Sequence, residues 1–372
     1  MFESLPAFPR SVVAFVIVLG VLVFVHEFGH YLAARWRRVH VETFSIGFGR
    51  ALLTWRDRRN TVWKLGWVPL GGYVKLHGQE RPEDVAPEVR AQWIPGQTFH
   101  EKSVLSRSII VAAGPIANFA LAALLFFGLY ASLGRPMMLP VIGEVLPDSA
   151  AARAGLQQGD RVTAIDSTPV TQFQDIQRIV LVSPGKSLVL HVMRADSARD
   201  IAIVPDEQVD VRGVRTGKLG VHSGGGMVFE DLSPVQAVVA AVEQTWDVTV
   251  QTLDGVWAMI TRRNTGEDFG GPLRIAQMSG QVATLGFPSL VSFIALLSVN
   301  LGLINLFPIP VLDGGHLMFF LAEAIRGKPL PPRAQEYGFR AGFALLIGLF
   351  VFATWKDLGH IGVFRWMASL IG

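Results

Sequence analysis

Four stretches of this chain are too long and too apolar to pack easily inside a water-soluble domain, and they restrict the fold more than any other feature. They run from Ser11 to Ala34, from Ser108 to Gly134, from Pro288 through Leu312 towards Ala322, and from Tyr337 to Trp355. A hydrocarbon core about 30 Å thick needs roughly 20 residues of helix to cross it. Half of the 372 residues are apolar and only 17% are charged, the balance of a polytopic α-helical membrane protein with about four transmembrane helices. Arg340 lies near one end of the fourth stretch, close enough to snorkel to the interface. The first stretch follows Arg10, as a secretory leader would, yet it runs on into a polar motif with no small-residue cleavage site before it. It reads as a retained span.

Charge placement supplies an orientation. Arg35, Arg37, Arg38, Arg50, Arg56, Arg58, Arg59 and Lys64 lie between the first two spans, and Arg326, Lys328 and Arg333 between the last two. Both links should therefore be cytoplasmic, which puts the N-terminus and residues 135 to 285 outside. The formal net charge is only +3, and its clustering in these links argues for membrane topology and against a nucleic-acid partner. The chain has no cysteine, so a disulfide framework and a thiolate metal site are both excluded, and any metal must use His or carboxylate ligands.

Seven segments follow from this pattern: a first transmembrane helix (1–38), a cytoplasmic-side, membrane-associated β-hairpin region (39–103), a second transmembrane helix (104–134), an extracytoplasmic α+β domain (135–225), an amphipathic helix and linker (226–285), a third, broken transmembrane segment (286–326), and a fourth helix with the C-terminal tail (327–372). Val39 to Leu76 is rich in Trp, Val and Leu between Gly47 and Gly49 at one end and Gly71 and Gly72 at the other, which predicts paired strands that dip into the bilayer only where protein or a wet cavity shields them. In the outer domain, strands are expected over Leu139–Val145, Val162–Ile165, Leu188–Met193 and Ile201–Val204, and helices over Ser149–Ala154 and Gln172–Val182. Glu243, Asp247 and Asp254 fall on one stripe of an otherwise apolar stretch, residues 234 to 260. This fits a helix lying on the outer membrane face.

The chemistry is concentrated in His26-Glu27-Phe28-Gly29-His30, which closes the first apolar run. Residues four apart on a helix share a face, so both imidazoles can reach one Zn²⁺ while the carboxylate between them takes a proton from a water. Three ionisable groups are costly in lipid and mark a functional site by default. A hydrolytic zinc site commonly has three protein ligands. The third is sought in Asn305-Leu306-Phe307-Pro308-Ile309-Pro310-Val311-Leu312-Asp313-Gly314-Gly315-His316, where the prolines must break the helix just before Asp313. Charge counting puts Asp313 at the same cytoplasmic depth as His26 and His30. Asp313 is the favoured ligand and His316, three residues on, its rival. Asn305 could hydrogen-bond a peptide beside such a break. His40, His77, His100, His191, His222 and His360 occur singly and read as solvated or structural. Asn118, in Gly114-Pro115-Ile116-Ala117-Asn118-Phe119, reads as an interhelical hydrogen-bonding group.

Together, HExxH in the first span, Gly-Pro-Ile-Ala-Asn-Phe in the second, and Asn-Leu-Phe-Pro-Ile-Pro-Val-Leu-Asp-Gly-Gly-His in the third resemble bacterial site-2 proteases, above all the regulator-of-sigma-E protease group. In the outer domain, Pro147-Asp148-Ser149-Ala150-Ala151, Ala154-Gly155-Leu156 and Gly159-Asp160 resemble a PDZ domain, a module that binds an extended peptide or chain end at a sheet edge. Residues 135 to 225 have room for one such domain, whereas the best-known gamma-proteobacterial members carry two. The resemblance implies an intramembrane endopeptidase of the bacterial inner membrane, with zinc on His26, His30 and Asp313 and with Glu27 as general base. It implies that the strand-rich segments around Ile46 to Gly49, including Gly47 and Gly49, and from Lys64 to Lys75 hold a substrate helix extended. It also implies that the substrates are membrane-spanning anti-sigma factors, already trimmed outside, and remnant signal peptides.

Two other classes of protein fit the sequence less well. A membrane-anchored scaffold that only binds tails has no use for an intact HExxH with a third ligand. A transporter would use the intramembrane acids for protons or metal, but one broken span without an inverted repeat argues against it.

Overall fold

The computed structural model describes residues 6–80, 85–209, 213–261 and 271–360. It divides into two compact units: residues 1–126, 241–250 and 268–372, and residues 127–240 and 251–267.

The first unit opens with α1 (Ala7–Trp36), followed by the long strands β1 (Val41–Arg56) and β2 (Val62–Leu76), a single turn α2 (Pro87–Arg90) and α3 (Val104–Leu133), whose last turns pass into the second unit. Both strands fold back on themselves. Phe44 is paired with Val74 on one side and Trp63 on the other, Ile46 with Gly72 and Leu65, while Trp55 also pairs with Trp63. The reversal passes through Gly47 and Gly49, both at φ +81°, a conformation that a side chain would strain. Between the strands, Asp57 closes the turn by accepting from the backbone N–H groups of Arg59 and Thr61 and from Trp63 Nε1.

Aromatic packing fixes this sheet against α1. Phe44 is fully buried and meets Phe24, Phe28, Tyr31 and Trp63, with ring centroids 4.4 to 6.5 Å apart. These rings clustered on Phe44 bury a large apolar area, each contacting pair adding about 0.5–1.5 kcal/mol beyond that burial. The following segment is tied down by His77, which donates from Nδ1 to Glu42 Oε1 (2.7 Å) and accepts at Nε2 from Ile94 N–H (2.9 Å). Burial opposes the charged form of Glu42, but hydrogen bonds from Lys75 and His77 outweigh it and hold the carboxyl below its ordinary value.

The second unit holds an α+β domain: β3 (Arg135–Met138), β4 (Ile142–Val145), α4 (Ala150–Ala154), β5 (Arg161–Ile165), β6 (Thr168–Pro169), α5 (Phe173–Leu181), β7 (Leu188–Arg194), β8 (Ser197–Ile203), β9 (Asp206–Val209), β10 (Arg215–Lys218), β11 (Val221–Ser223) and β12 (Met227–Glu230). The principal sheet has the order β6-β5-β7-β8; β4 pairs with β11, β3 with β12 and β9 with β10. Its core gathers Ile142, Leu156, Val162, Ile165, Phe173, Ile176, Leu190 and Val192. The expected strands and helices are present, each within a few residues of its anticipated bounds. The expected strand over Leu139–Val145 begins only at Ile142, because Pro140 lies in a bend and Val141 makes a single bridge to Arg161, and β9 to β12 carry no strong alternation in sequence.

Helix α6 (Pro234–Ile260) follows, started by a Ser233 cap that accepts from Gln236 N–H. It is a continuous helix, but its exposed residues include Val238, Val242, Trp246 and Trp257 beside Glu243 and Asp247, so its outward side is less polar than the acidic stripe alone predicts. The remaining helices are α7 (Pro272–Val282), α8 (Phe287–Leu306), α9 (Asp313–Arg326) and α10 (Pro332–His360). Helix α7, in a segment read as linker, packs along α1; a Cβ on Gly280 would meet Ser11.

Among the described residues, four helices are long and apolar enough to cross a membrane: Phe8–Trp36, Val104–Leu133, Phe287–Leu306 and Pro332–Gly359. They coincide with the four apolar stretches. The third stretch is broken as the prolines require, α8 ending at Leu306 and α9 beginning at Asp313. Arg340 does not cut the fourth short, since it lies within α10 and pairs with Glu336 one turn earlier. The tail beyond 360 and the linker at 262–270 lie outside the described residues.

Candidate metal centre

Helix α1 carries His26 and His30 one turn apart, and helix α9 brings Asp313 to them. His26 Nε2 is 3.3 Å from His30 Nε2 and 3.2 Å from Asp313 Oδ2, and His30 Nε2 is 3.4 Å from the same oxygen. Four-coordinate zinc with ligands at about 2.0–2.2 Å requires donor atoms roughly 3.3–3.6 Å apart. The three atoms thus form a nearly equilateral triangle of the size of one face of a zinc tetrahedron. Asp313 Oδ2 is buried without a hydrogen-bond partner, as an atom placed to ligate a metal should be. Among the described residues this is the one group of three or more His, Asp or Glu able to converge on a single ion.

Local chain chemistry explains how each part arrives. Gly29, between the histidines, lets α1 touch α3, because a Cβ there would overlap Ala113 O and come within 2.7 Å of Ala117 Cβ. Gly114 of α3 leaves space for the His30 ring, which a Cβ would overlap. The His30 ring is held from behind by Nδ1–H donating to Ile110 O at 2.9 Å. Asn118, one turn beyond Gly114, is fully buried with Nδ2 3.2 Å from His26 Nδ1. Its backbone carbonyl accepts from Ser298 Oγ of α8 at 2.8 Å. The interhelical reading of Asn118 holds for its backbone, bonded to α8, and for its side chain, which reaches His26 of α1. The clue was its spacing: Gly114 and Asn118 stand four apart on α3, as do His26 and His30 on α1.

Asp313 opens α9 directly after the proline break, with Leu312 as its N-cap. Val311 has φ +100°, a genuine outlier for a β-branched residue and one held only by its surroundings. Gly314 and Gly315 allow the break to fold tightly onto the new helix: a Cβ on Gly315 would come within 2.5 Å of Ile309 O and Pro310 Cα. Arg107 of α3 anchors the helix further along, bonding Glu323 at 2.6 Å and lying over the Phe320 ring.

These residues border a cavity of about 670 Å³ that Glu27, Asn305, Val311 and His316 also line, together with the strand edge from Gly72 to Val74. That edge comes close to the helix, since a Cβ on Gly72 would lie 3.0 Å from Glu27 Cγ. Glu27 makes no hydrogen bond or ion pair among the described residues. His316 lines the cavity 5.3 Å from the Phe339 ring but does not join the converging atoms. Of the two candidates for third ligand, Asp313 is the one brought to the histidines. Asn305 faces the cavity and donates to Leu301 O, whereas Gly47 and Gly49 do not line it and serve the strand reversal. Of the other histidines, His77 bonds Glu42, His100 bonds Gly78 O and His191 bonds Asp200. In the second unit, a separate groove of about 650 Å³ runs between α5 and Gly217–His222.

A family model for peptidase family M50 matches residues 14–349. A Rhizobium meliloti (strain 1021) protein named as a zinc metalloprotease is 44% identical over 367 residues, covering 94% of this chain and 97% of that protein. The metalloprotease MmpA of Caulobacter vibrioides is 35% identical over 388 residues, covering 96% and 98%. The regulator of sigma E protease of Salmonella typhi is 32% identical over 452 positions, covering 94% and 99%, so that relative contains residues this chain lacks. Among solved structures, the PDZ domain of an SdrC-like protein from Listeria monocytogenes is 20% identical and covers 24% of this chain and 86% of its own, with a TM-score of 0.20, too low to assign a fold. With nearly its whole length matched, the chain belongs to peptidase family M50, the site-2 proteases, and is a zinc metalloprotease built as a multi-pass membrane protein.

Proposed function

We propose that this protein is an endopeptidase that cuts within the membrane-spanning segments of single-pass proteins, with zinc held by His26, His30 and Asp313. The observation that carries the reading is the triangle of ligand atoms on the wall of a cavity that also bears the unpaired carboxylate of Glu27. Zinc held there would supply Lewis acidity, polarising a scissile carbonyl and acidifying a bound water. Glu27 acts as general base, taking the proton from the attacking water and passing it to the leaving amine. A helical substrate hides its scissile carbonyl in intrahelical bonds and must unwind first. The strand edge from Gly72 to Val74 offers backbone groups to which an extended peptide adds as a further strand, and Asn305 orients it.

The topology belongs to the same proposal: a bacterial inner-membrane protein with the site near the cytoplasmic side, the PDZ-like domain outside and α6 lying on the outer leaflet. The groove beside α5 takes a peptide or chain end, and the substrates are of the anti-sigma-factor and remnant-signal-peptide types. The test is cleavage of a membrane-spanning peptide in detergent or liposomes by the parent and by Glu27→Gln, with zinc measured in both. The proposal expects equal zinc and a loss of at least about 100-fold in rate for the variant. Equal rates would refute it.

A further inference from the structure

The two histidines of the site are supported from behind in chemically different ways. His30 Nδ1 faces the carbonyl oxygen of Ile110, which can only accept. The hydrogen therefore sits on Nδ1, and Nε2 has its lone pair free. His26 Nδ1 faces the side-chain amide of Asn118 instead. An amide has a donor end and an acceptor end of almost the same shape, so the end facing the ring decides the ring's tautomer.

If the amide nitrogen donates to Nδ1, the His26 hydrogen must sit on Nε2, pointing towards Asp313 Oδ2 3.2 Å away, and Nε2 cannot ligate. If the amide oxygen faces the ring, Nδ1–H donates to it and Nε2 is free. Asn118 Oδ1 is buried without a hydrogen-bond partner, a state that buried polar atoms rarely keep. A half-turn about the Cβ–Cγ bond gives that oxygen the His26 Nδ1–H as donor and moves no helix.

We infer that Asn118 is the positioning residue that selects the metal-binding tautomer of His26, its amide oxygen accepting from Nδ1–H; this rests on the ligand set proposed above. The residue is well fixed for the task. It is fully buried, Ser298 holds its backbone carbonyl, and Gly302 lets α8 approach so closely that a Cβ would lie 3.2 Å from Asn118 Cβ and 3.0 Å from Pro115 O. Outer-sphere partners of this kind orient a ligating imidazole and raise its basicity. A purely structural interhelical bond has no reason to end on the one nitrogen that controls the ligating atom.

The test uses the full chain in detergent and measures zinc affinity by chelator competition. N118A and N118L, the second keeping the volume, should bind zinc about 10–100-fold more weakly than the parent. N118D presents an acceptor oxygen whichever way it turns and should stay close to the parent. S298A removes the helix–helix bond at the same residue but leaves the amide, and should also stay close. The inference is overturned if either deletion keeps parental affinity, or if N118D or S298A falls as far as the deletions, since packing would then be the cause. H26A separates the two levels of argument: full zinc content in that variant would sink the ligand set itself.

Discussion

His26 Nε2 and Asp313 Oδ2 lie 3.2 Å apart although they belong to the first helix and the next to last. The approach depends on the break between α8 and α9, which frees the chain from Phe307 to Leu312 and presents Asp313 in the first turn of a new helix. His316 follows on the same helix and lines the same cavity, yet lies outside the triangle. Asp313→Ala should therefore lower zinc content by roughly tenfold or more, while His316→Ala keeps it. Metal analysis of the two purified variants decides, and the reverse pattern would transfer the ligand role to His316.

Gly114 makes a second point about space. A Cβ at this position would overlap the His30 ring, so Gly114→Ala must displace the imidazole or push α1 from α3. Misplacing a reacting group by about 1 Å costs on the order of 100-fold in rate, and a loss of that size is expected in peptide cleavage. Gly128, on the same helix, has nothing within 4 Å of an added Cβ. Gly128→Ala should match the parent, which separates crowding at the ring from any general effect of alanine in α3.

Much of this site was legible in the sequence because its parts are local. The spacing of His26 and His30, the proline break and the apolar lengths each follow from the periodicity of a helix or the missing N–H of proline. Asp313 could be paired with the histidines because charge counting gave both the same depth. What escaped were relations that periodicity does not encode. Gly47 and Gly49 stand at the turning points of β1, a role that leaves no local mark in sequence beyond glycine itself. Asn118 reads as an interhelical bonding group, as it is, but nothing in a single helix tells which atom its side chain meets. Helix α7 reads as linker in sequence because it is short and weakly apolar, and it is held by packing on α1 and by one distant carboxylate.

That carboxylate is Asp357, near the end of α10. It is buried and accepts from the backbone N–H groups of Gly271, Leu273 and Arg274 at 2.9, 3.0 and 3.1 Å. These donors open α7 and have no intrahelical partner, and a carboxylate also suits the positive end of the helix. Asp357→Ala strands buried donors and should destabilise the protein by about 1–3 kcal/mol, with Asp357→Asn in between. Thermal unfolding in detergent measures the loss. Zinc content should not change, since the residue does not border the metal cavity.

The α+β domain of the second unit has its own electrostatic signature. Burial pushes the carboxyl of Asp160 up, but hydrogen bonds from Arg194, at 2.6 Å to each oxygen, and from Gln157 N–H outweigh it and hold it below the ordinary 3.8. Asp175 is likewise raised by burial and lowered further by the backbone of Thr171 and Gln172, the Thr171 hydroxyl and Arg178. Because both folded values lie below the unfolded ones, the stabilisation is complete above the ordinary value and disappears as the pH falls through the depressed ones. Opening free energies of β5 and β7, from amide exchange corrected for intrinsic rates, should be level down to about pH 5 and fall at more acidic pH. Asp160→Asn should lower them at neutral pH, because Arg194 loses its ionic partner, and should flatten the acid dependence. An unchanged slope in that variant would mean that the acid sensitivity resides in other carboxylates.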